Sequence, residues 1–454
     1  MPNTPLERIA QFVAEHTFLP DAETIEVARN ALIDTLGCIV VGSRQPVAIK
    51  TRNTVAVWGD GPAQLFGTPI KLAAPWAALA NSTAGHALDF DDWEIPGNSH
   101  SSITILPALM TIAAFKPISG KAFLDAYLAG FEVIARIGEA VNFEHYDAGW
   151  HSTATLGAYG AAAGVARLLK LNSEQTAHAI SISFSQAVGY TKQFGSNAKP
   201  LQAGFAAKAG VLAGSLAANG LTGQAWILDD PRGFIGLMGN GDRSRFPDAL
   251  ARLGNPLALT EWGQVVKPYP SCGYTHRVID CALELRGRLK GAIRPENIAR
   301  VTASLPDFHA NILPFLNPQE RAEALFSVPY TTSHALLNGP LTLSDIEAET
   351  WTNQDMQDLI SKFDFQVRKP INPELNYDPA DPDFVEIEFV NGTKERVEVA
   401  YPLGAPQNRM SSQQIWEKFI SNCATDHDLQ PLKSWIESND INQLLTNTVG
   451  KIVE

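Results

Sequence analysis

Between residues 154 and 220 the chain is dominated by Ala and Gly, and no other stretch restricts its fold as much. Side chains this small let helix backbones approach closely, which suits a dense helical core better than a solvated surface. A membrane span is a poor alternative. The most apolar windows, 154–169 and 203–219, contain Arg167 or Lys208 and are built from Ala and Gly rather than Leu or Ile.

Helix signals surround this stretch. Thr4-Pro5 with Glu7 reads as a capped start ahead of Leu6, Ile9, Ala10 and Val13, and Asn172 with Gln175 repeats the pattern. Ser119 or Gly120 opens a helix carrying Phe123, Tyr127 and Phe131. No strand stands out before residue 265. The texture changes from about residue 266, where Ile298–Leu305 reads as a strand and Phe384–Val390 alternates Val385, Ile387 and Phe389 with Glu386 and Glu388. Asn391-Gly392 then supplies a hairpin turn before Val397, Val399 and Tyr401. Pro370 to Pro382 reads as a surface loop, and residues 412–454 return to helical spacing through Ile415, Phe419, Leu432, Trp435 and Ile436. The expected fold is mainly α with a second α+β domain: a large helical domain over 1–265, a small α+β domain over 266–403, and C-terminal helices over 404–454 rejoining the first.

A formal charge of −13 repels phosphate backbones and anionic membranes, so neither nucleic acid nor a membrane is an expected partner. Four scattered cysteines, Cys38, Cys272, Cys281 and Cys423, form no C-x-x-C pair and no disulfide framework. With no basic segment followed by an apolar run at the N-terminus, a cytoplasmic location is expected. Walker, G-x-G-x-x-G and H-E-x-x-H patterns are absent from the sequence.

From Gln175 to Leu228 there is no carboxylate, while Lys192, Lys199 and Lys208 occur. A buried helix pair excludes acids as it excludes any charge, yet Lys199 falls in the helix-breaking run Asn197-Ala198-Lys199-Pro200. The expectation is a local positive field for an anionic ligand, with Lys199 desolvated towards a neutral amine that can act as a base. His86 and Asp89 fall on one predicted helical face, with Asp91, Asp92 and His100 close by. Such a group can ligate a metal, but the spacing is common and no metal is expected. His145-Tyr146-Asp147-Ala148-Gly149-Trp150-His151 offers imidazoles and a phenol for proton transfer, or plain packing. Lys267 to His276 lies at the change of texture, where a cleft between domains is expected. Cys272 within it reads as a small core residue rather than a nucleophile.

Taken in order, these clusters resemble the MmgE/PrpD family, which includes 2-methylcitrate dehydratase, cis-aconitate decarboxylase and iminodisuccinate epimerase. The matching stretches are HALDFDD at 86–92 with His100, GWHST at 149–153, KQFGSNAKPLQAG at 192–204, KPYPSCGYTH at 267–276 and FSVPY at 326–330. The resemblance implies a homodimer that needs no cofactor and acts on a small di- or tricarboxylate. It implies active-site positions at Asp89, His100, His151, Lys199 and Lys267, with Tyr146 in the place of an acid/base tyrosine. Lys192 and His276 stand in the same motifs and are expected, with Asp89 and Lys267, to bind substrate. The activity expected first is a hydro-lyase on a 2-methylcitrate-like hydroxy acid. The alternatives are epimerisation of a substituted succinate, decarboxylation of an unsaturated tricarboxylate and, last, anion binding without catalysis.

Overall fold

The structure, a computed structural model, describes residues 4–423. Helix Pro5–Glu15 starts at a capping box in which Thr4 and Glu7 satisfy each other's backbone N–H groups, and it buries Leu6, Ile9, Ala10 and Val13. Helix Ser173–Phe184 carries the same device on Asn172 and Gln175, and Ser119 caps Gly120–Val141. At the centre, Ser152–Leu168 packs against Ala198–Ala218 and Gly120–Val141. Small residues are required there: a methyl group on Gly210 would come within 2.6 Å of the Ala161 carbonyl carbon. Helix Ala198–Ala218 is long and apolar enough to cross a membrane, but the surrounding helices bury most of it. A ladder of two residues on each side, Ala63–Gln64 with Lys71–Leu72, is a small addition to the strand-free first half expected from the sequence.

The second part is built on a four-stranded sheet in the order Phe363–Arg368, Ile298–Pro306, Asp383–Phe389, Lys394–Val399. Its first pair is parallel and the others antiparallel. Val385 and Ile387 are fully buried, and Gly392 turns the hairpin at φ +85°, a conformation that costs a residue without Cβ nothing. Helix His276–Leu289 covers the sheet with Val278, Cys281, Ala282 and Leu285.

Two large buried clusters follow this division. One gathers residues from Leu6 to Leu259 with Val266 and with Ile415 and Phe419 of helix Ser412–Cys423, which packs on Ala22–Gly42. The expected helical positions Leu432, Trp435 and Ile436 lie outside the described residues. The other cluster runs from Val265 to Ala405 and takes in Trp93. Trp93 and Val265 exchange backbone hydrogen bonds of 3.0 and 2.8 Å, which fixes the segment around residues 86–100 at the junction of the two cores.

Candidate active site

Helix Ala74–Gly85 stops at His86, and the chain turns through Asp89 at φ +49°, a left-handed conformation that Asp tolerates better than most residues. His86 and Asp89 therefore do not share a helical face. They meet because the turn folds back. Asp89 and Asp91 point towards the junction, while Asp92 accepts from Ser102 Oγ at 2.7 Å on the other side.

Two lysines from distant segments close on Asp89. Lys199 Nζ donates to Asp89 Oδ1 at 2.7 Å and to His86 Nε2 at 3.0 Å. Lys267 Nζ donates to the same Oδ1 and to the Asp89 carbonyl oxygen, both at 2.8 Å. Both lysines are buried, at 4% and 1% exposure. Among the described residues, these bonds occupy two of the three N–H groups on each ammonium. Burial alone would raise the Asp89 carboxyl, but Lys199 and Lys267 hold it well below the usual carboxylate range. Burial likewise works against a charge on Lys267, and Asp89 and Asp91 outweigh it, so that its pKa is raised.

This arrangement corrects the expectation of an acid-free field around Lys199. The carboxylate missing from its own segment comes from Asp89, and charge balance is struck in space rather than along the chain. Nor does Lys199 lie in a helix-breaking loop. Helix Ala198–Ala218 begins one residue earlier, and Pro200 sits in its first turn, where a missing N–H costs nothing.

Three imidazoles surround the lysines. His86 Nδ1 lies 2.9 and 3.0 Å from the two oxygens of Asp91 and so carries the proton, leaving Nε2 to accept from Lys199. Its pKa is lowered by burial and by Lys199 against the pull of Asp91. His100 approaches Asp91 Oδ2 at 3.1 Å and Asp89 Oδ1 at 3.6 Å, and burial pushes it down to about 4. His151 Nδ1 is 2.6 Å from Gln202 Oε1, and the Gln202 amide is oriented by its own 3.3 Å bond to the Tyr190 carbonyl. His151 is thereby assigned the Nδ1–H tautomer, with an unprotonated Nε2. Burial, Lys199 and His86 hold it well below 6.5, so it stays neutral. Burial also raises the Tyr146 phenol well above its usual value, so that it remains a proton donor.

Asp89, His100, Tyr146, His151, Lys199 and Lys267 all line one cleft, walled on other sides by Trp93, Phe194, Tyr274 and Phe326. Asp89, Lys199 and Phe326 also line an adjoining chamber of about 1100 Å³ that reaches Gln45 and Arg321. Two expected binding residues lie elsewhere. Lys192 is exposed on the turn Thr191–Gln193. His276 is fully buried at the start of its helix, packed on Tyr269 with Nε2 3.3 Å from the Ser271 carbonyl. Cys272 lines the cleft, but burial raises its thiol to about 11, which keeps it from acting as a thiolate near neutral pH.

The ligand atoms of His86, Asp89, Asp91 and His100 lie within 4.8 Å of one another, a spacing that a cation could bridge. Both nitrogens of His86 are already hydrogen-bonded, however, and Asp89 Oδ1 accepts from two ammonium groups. The donor set fits a charge-paired network better than a metal. Sequence reasoning gave no role to Gln202, although it stands three residues after Lys199 and so on the same helical face. Asp91, which it named only as a neighbour, turns out to hold two imidazoles.

Comparison with known proteins gives the arrangement a family. The MmgE/PrpD N-terminal domain matches residues 7–247 and the MmgE/PrpD C-terminal domain residues 269–435, and the chain belongs to the MmgE/PrpD family. It is 26% identical over 426 residues to a cis-aconitate decarboxylase of Aspergillus terreus, covering 89% of this chain and 86% of the relative. A cis-aconitate decarboxylase of Mus musculus is 27% identical over 414 residues, with 88% and 82% covered. A 2-methylcitrate dehydratase of Cupriavidus necator is 25% identical over 452 residues, with 93% and 90% covered. By name these relatives are lyases.

Proposed function

We propose that this protein is a cofactor-independent lyase acting on a small di- or tricarboxylate through a carbanion-like species beside a carboxylate. The observation that carries this reading is the pair of ammonium groups on one Asp89 oxygen, each with one N–H left over, next to the unprotonated Nε2 of His151. A substrate carboxylate takes the two spare N–H groups. They lie close enough together to serve both of its oxygens and to hold the charge that develops there in the transition state. His151 moves the proton at the reacting carbon, and Tyr146 donates to a departing or developing oxygen.

Decarboxylation of an unsaturated tricarboxylate comes first among the finer readings, ahead of the hydro-lyase expected from sequence. It is favoured by the likeness to cis-aconitate decarboxylases of a fungus and a mammal, and by the aromatic wall, against which an unpaired carboxylate is poorly solvated. As the C–C bond breaks, its electron pair stays on the carbon, spreads towards the anchored carboxylate, and takes a proton that passes from the Tyr146 phenol by way of His151 Nε2 as CO₂ leaves. Dehydration is the second reading, favoured by the Cupriavidus relative. There His151 removes a proton, and the electron pair expels a β-hydroxyl that leaves as water with a proton from Tyr146.

Proton NMR in D₂O with cis-aconitate, 2-methylcitrate and a substituted succinate tests the proposal. Loss of CO₂ or loss of water supports a lyase and tells the two readings apart. Deuterium exchange without net conversion would mean an epimerase, and three unchanged acids would leave an anion-binding protein and remove the lyase reading.

A further inference from the structure

The turn that carries Asp89 and Asp91 is gripped from behind by a residue that the proposed chemistry does not use. Lys418 stands on helix Ser412–Cys423, 328 positions along the chain from the residue it holds, and is 8% exposed. Its Nζ donates to the Phe90 carbonyl oxygen at 2.7 Å, lies 3.7 Å from the Phe90 ring centroid and pairs with Asp34 Oδ1 at 2.6 Å. Phe90 is the one residue between the two site carboxylates. Asp89 takes both lysines and Asp91 takes the imidazoles of His86 and His100. Asp89 also holds a left-handed backbone conformation, which persists only where the surroundings fix it. Two carboxylates feel this one cation: Asp34 on helix Ala22–Gly42 and Asp92 on the turn.

We propose that Lys418 is a positioning residue for the active site. By holding the Phe90 carbonyl it sets Asp89 against Lys199 and Lys267, and Asp91 against the two imidazoles, so that helix Ser412–Cys423 belongs to the catalytic unit. The kinetic part of this proposal rests on the lyase reading. The structural part does not.

Lys418→Met alone strands the buried Asp34 charge and penalises folding, so the informative variant is Asp34→Asn combined with Lys418→Met, which removes both charges at similar volume. That double variant is expected to keep a thermal midpoint near that of the wild type. Its kcat is expected to fall by about tenfold or more, with KM changed less than about threefold, because a small misplacement of reacting groups acts on the chemical step. A wild-type kcat would overturn the proposal. Imidazole ¹⁵N spectra give a readout that needs no substrate. His86 and His100 are expected to shift in the double variant, while His334, bonded to the Gly339 carbonyl in the second core, stays in place. If the wild-type protein turns over no polycarboxylate, the lyase reading falls and the spectra still decide, since unmoved His86 and His100 signals would remove the grip.

Discussion

Asp89 and Asp383 are each buried and each held by two cations, and the cations differ. Asp383 accepts from Arg277 through both oxygens at 2.8 Å and from Arg368 at 2.9 Å, tying helix His276–Leu289 to two strands of the sheet. The guanidinium fork of Arg277 matches the carboxylate face to face through Nε and Nη2. Asp89 is held by lysines, whose three N–H bonds point apart, so two serve the protein and one is left over on each residue lining the cleft. The same charge pattern is a brace in one core and, in the proposed function, an anion site at the junction.

Breaking the brace is expected to give the largest effect. Asp383→Ala leaves the buried Arg277 without its carboxylate, while Arg368 keeps Asp381, and is expected to cost about 3–5 kcal/mol of stability, measured by denaturant unfolding. Turnover per folded molecule should be unchanged, and a large loss of kcat at full folding would show that the two clusters are not separate. Lys199→Met should behave in the opposite way. Asp89 keeps Lys267, so the fold holds, while kcat drops about 10²–10³-fold with the loss of one preorganised donor. Wild-type turnover in that variant would take the clamp out of the chemistry.

A pH profile sharpens the contrast without mutation. Where His151 acts as the base, as in the dehydration reading, burial, Lys199 and His86 keep it neutral as pH falls through 6.5, so the acid limb of kcat/KM is expected below that value. An acid limb centred at or above 6.5 would assign the proton to a different group. The smallest effect is expected far from either cluster. Gly392→Ala places a Cβ at φ +85° in the hairpin turn and should cost about 1 kcal/mol, with kcat untouched.

What the sequence made legible follows from distance along the chain. The caps at Thr4 and Asn172 and the turn at Asn391-Gly392 are local, because the partners lie within three residues of each other, and local pattern was enough to place them. Six site residues could be named because their motifs resemble a family. Their partners could not, since Lys199 meets Asp89 across 110 positions and Lys418 meets Phe90 across 328. The same reason explains the misreadings. Lys192 shares a motif with Lys199 but faces outward, and an acid-free stretch read along the chain says nothing about a carboxylate arriving from another segment.

The central claim is that His151, oriented by Gln202, moves the proton while the lysine pair on Asp89 holds the carboxylate. Deuterium wash-in from D₂O at the reacting carbon of a turned-over polycarboxylate, compared between wild type and His151→Gln, tests it most directly. The account predicts exchange at least about 10²-fold slower in His151→Gln, the scale of a lost general acid–base group. Exchange at the wild-type rate in that variant would contradict it and pass the proton to Lys199 or Tyr146.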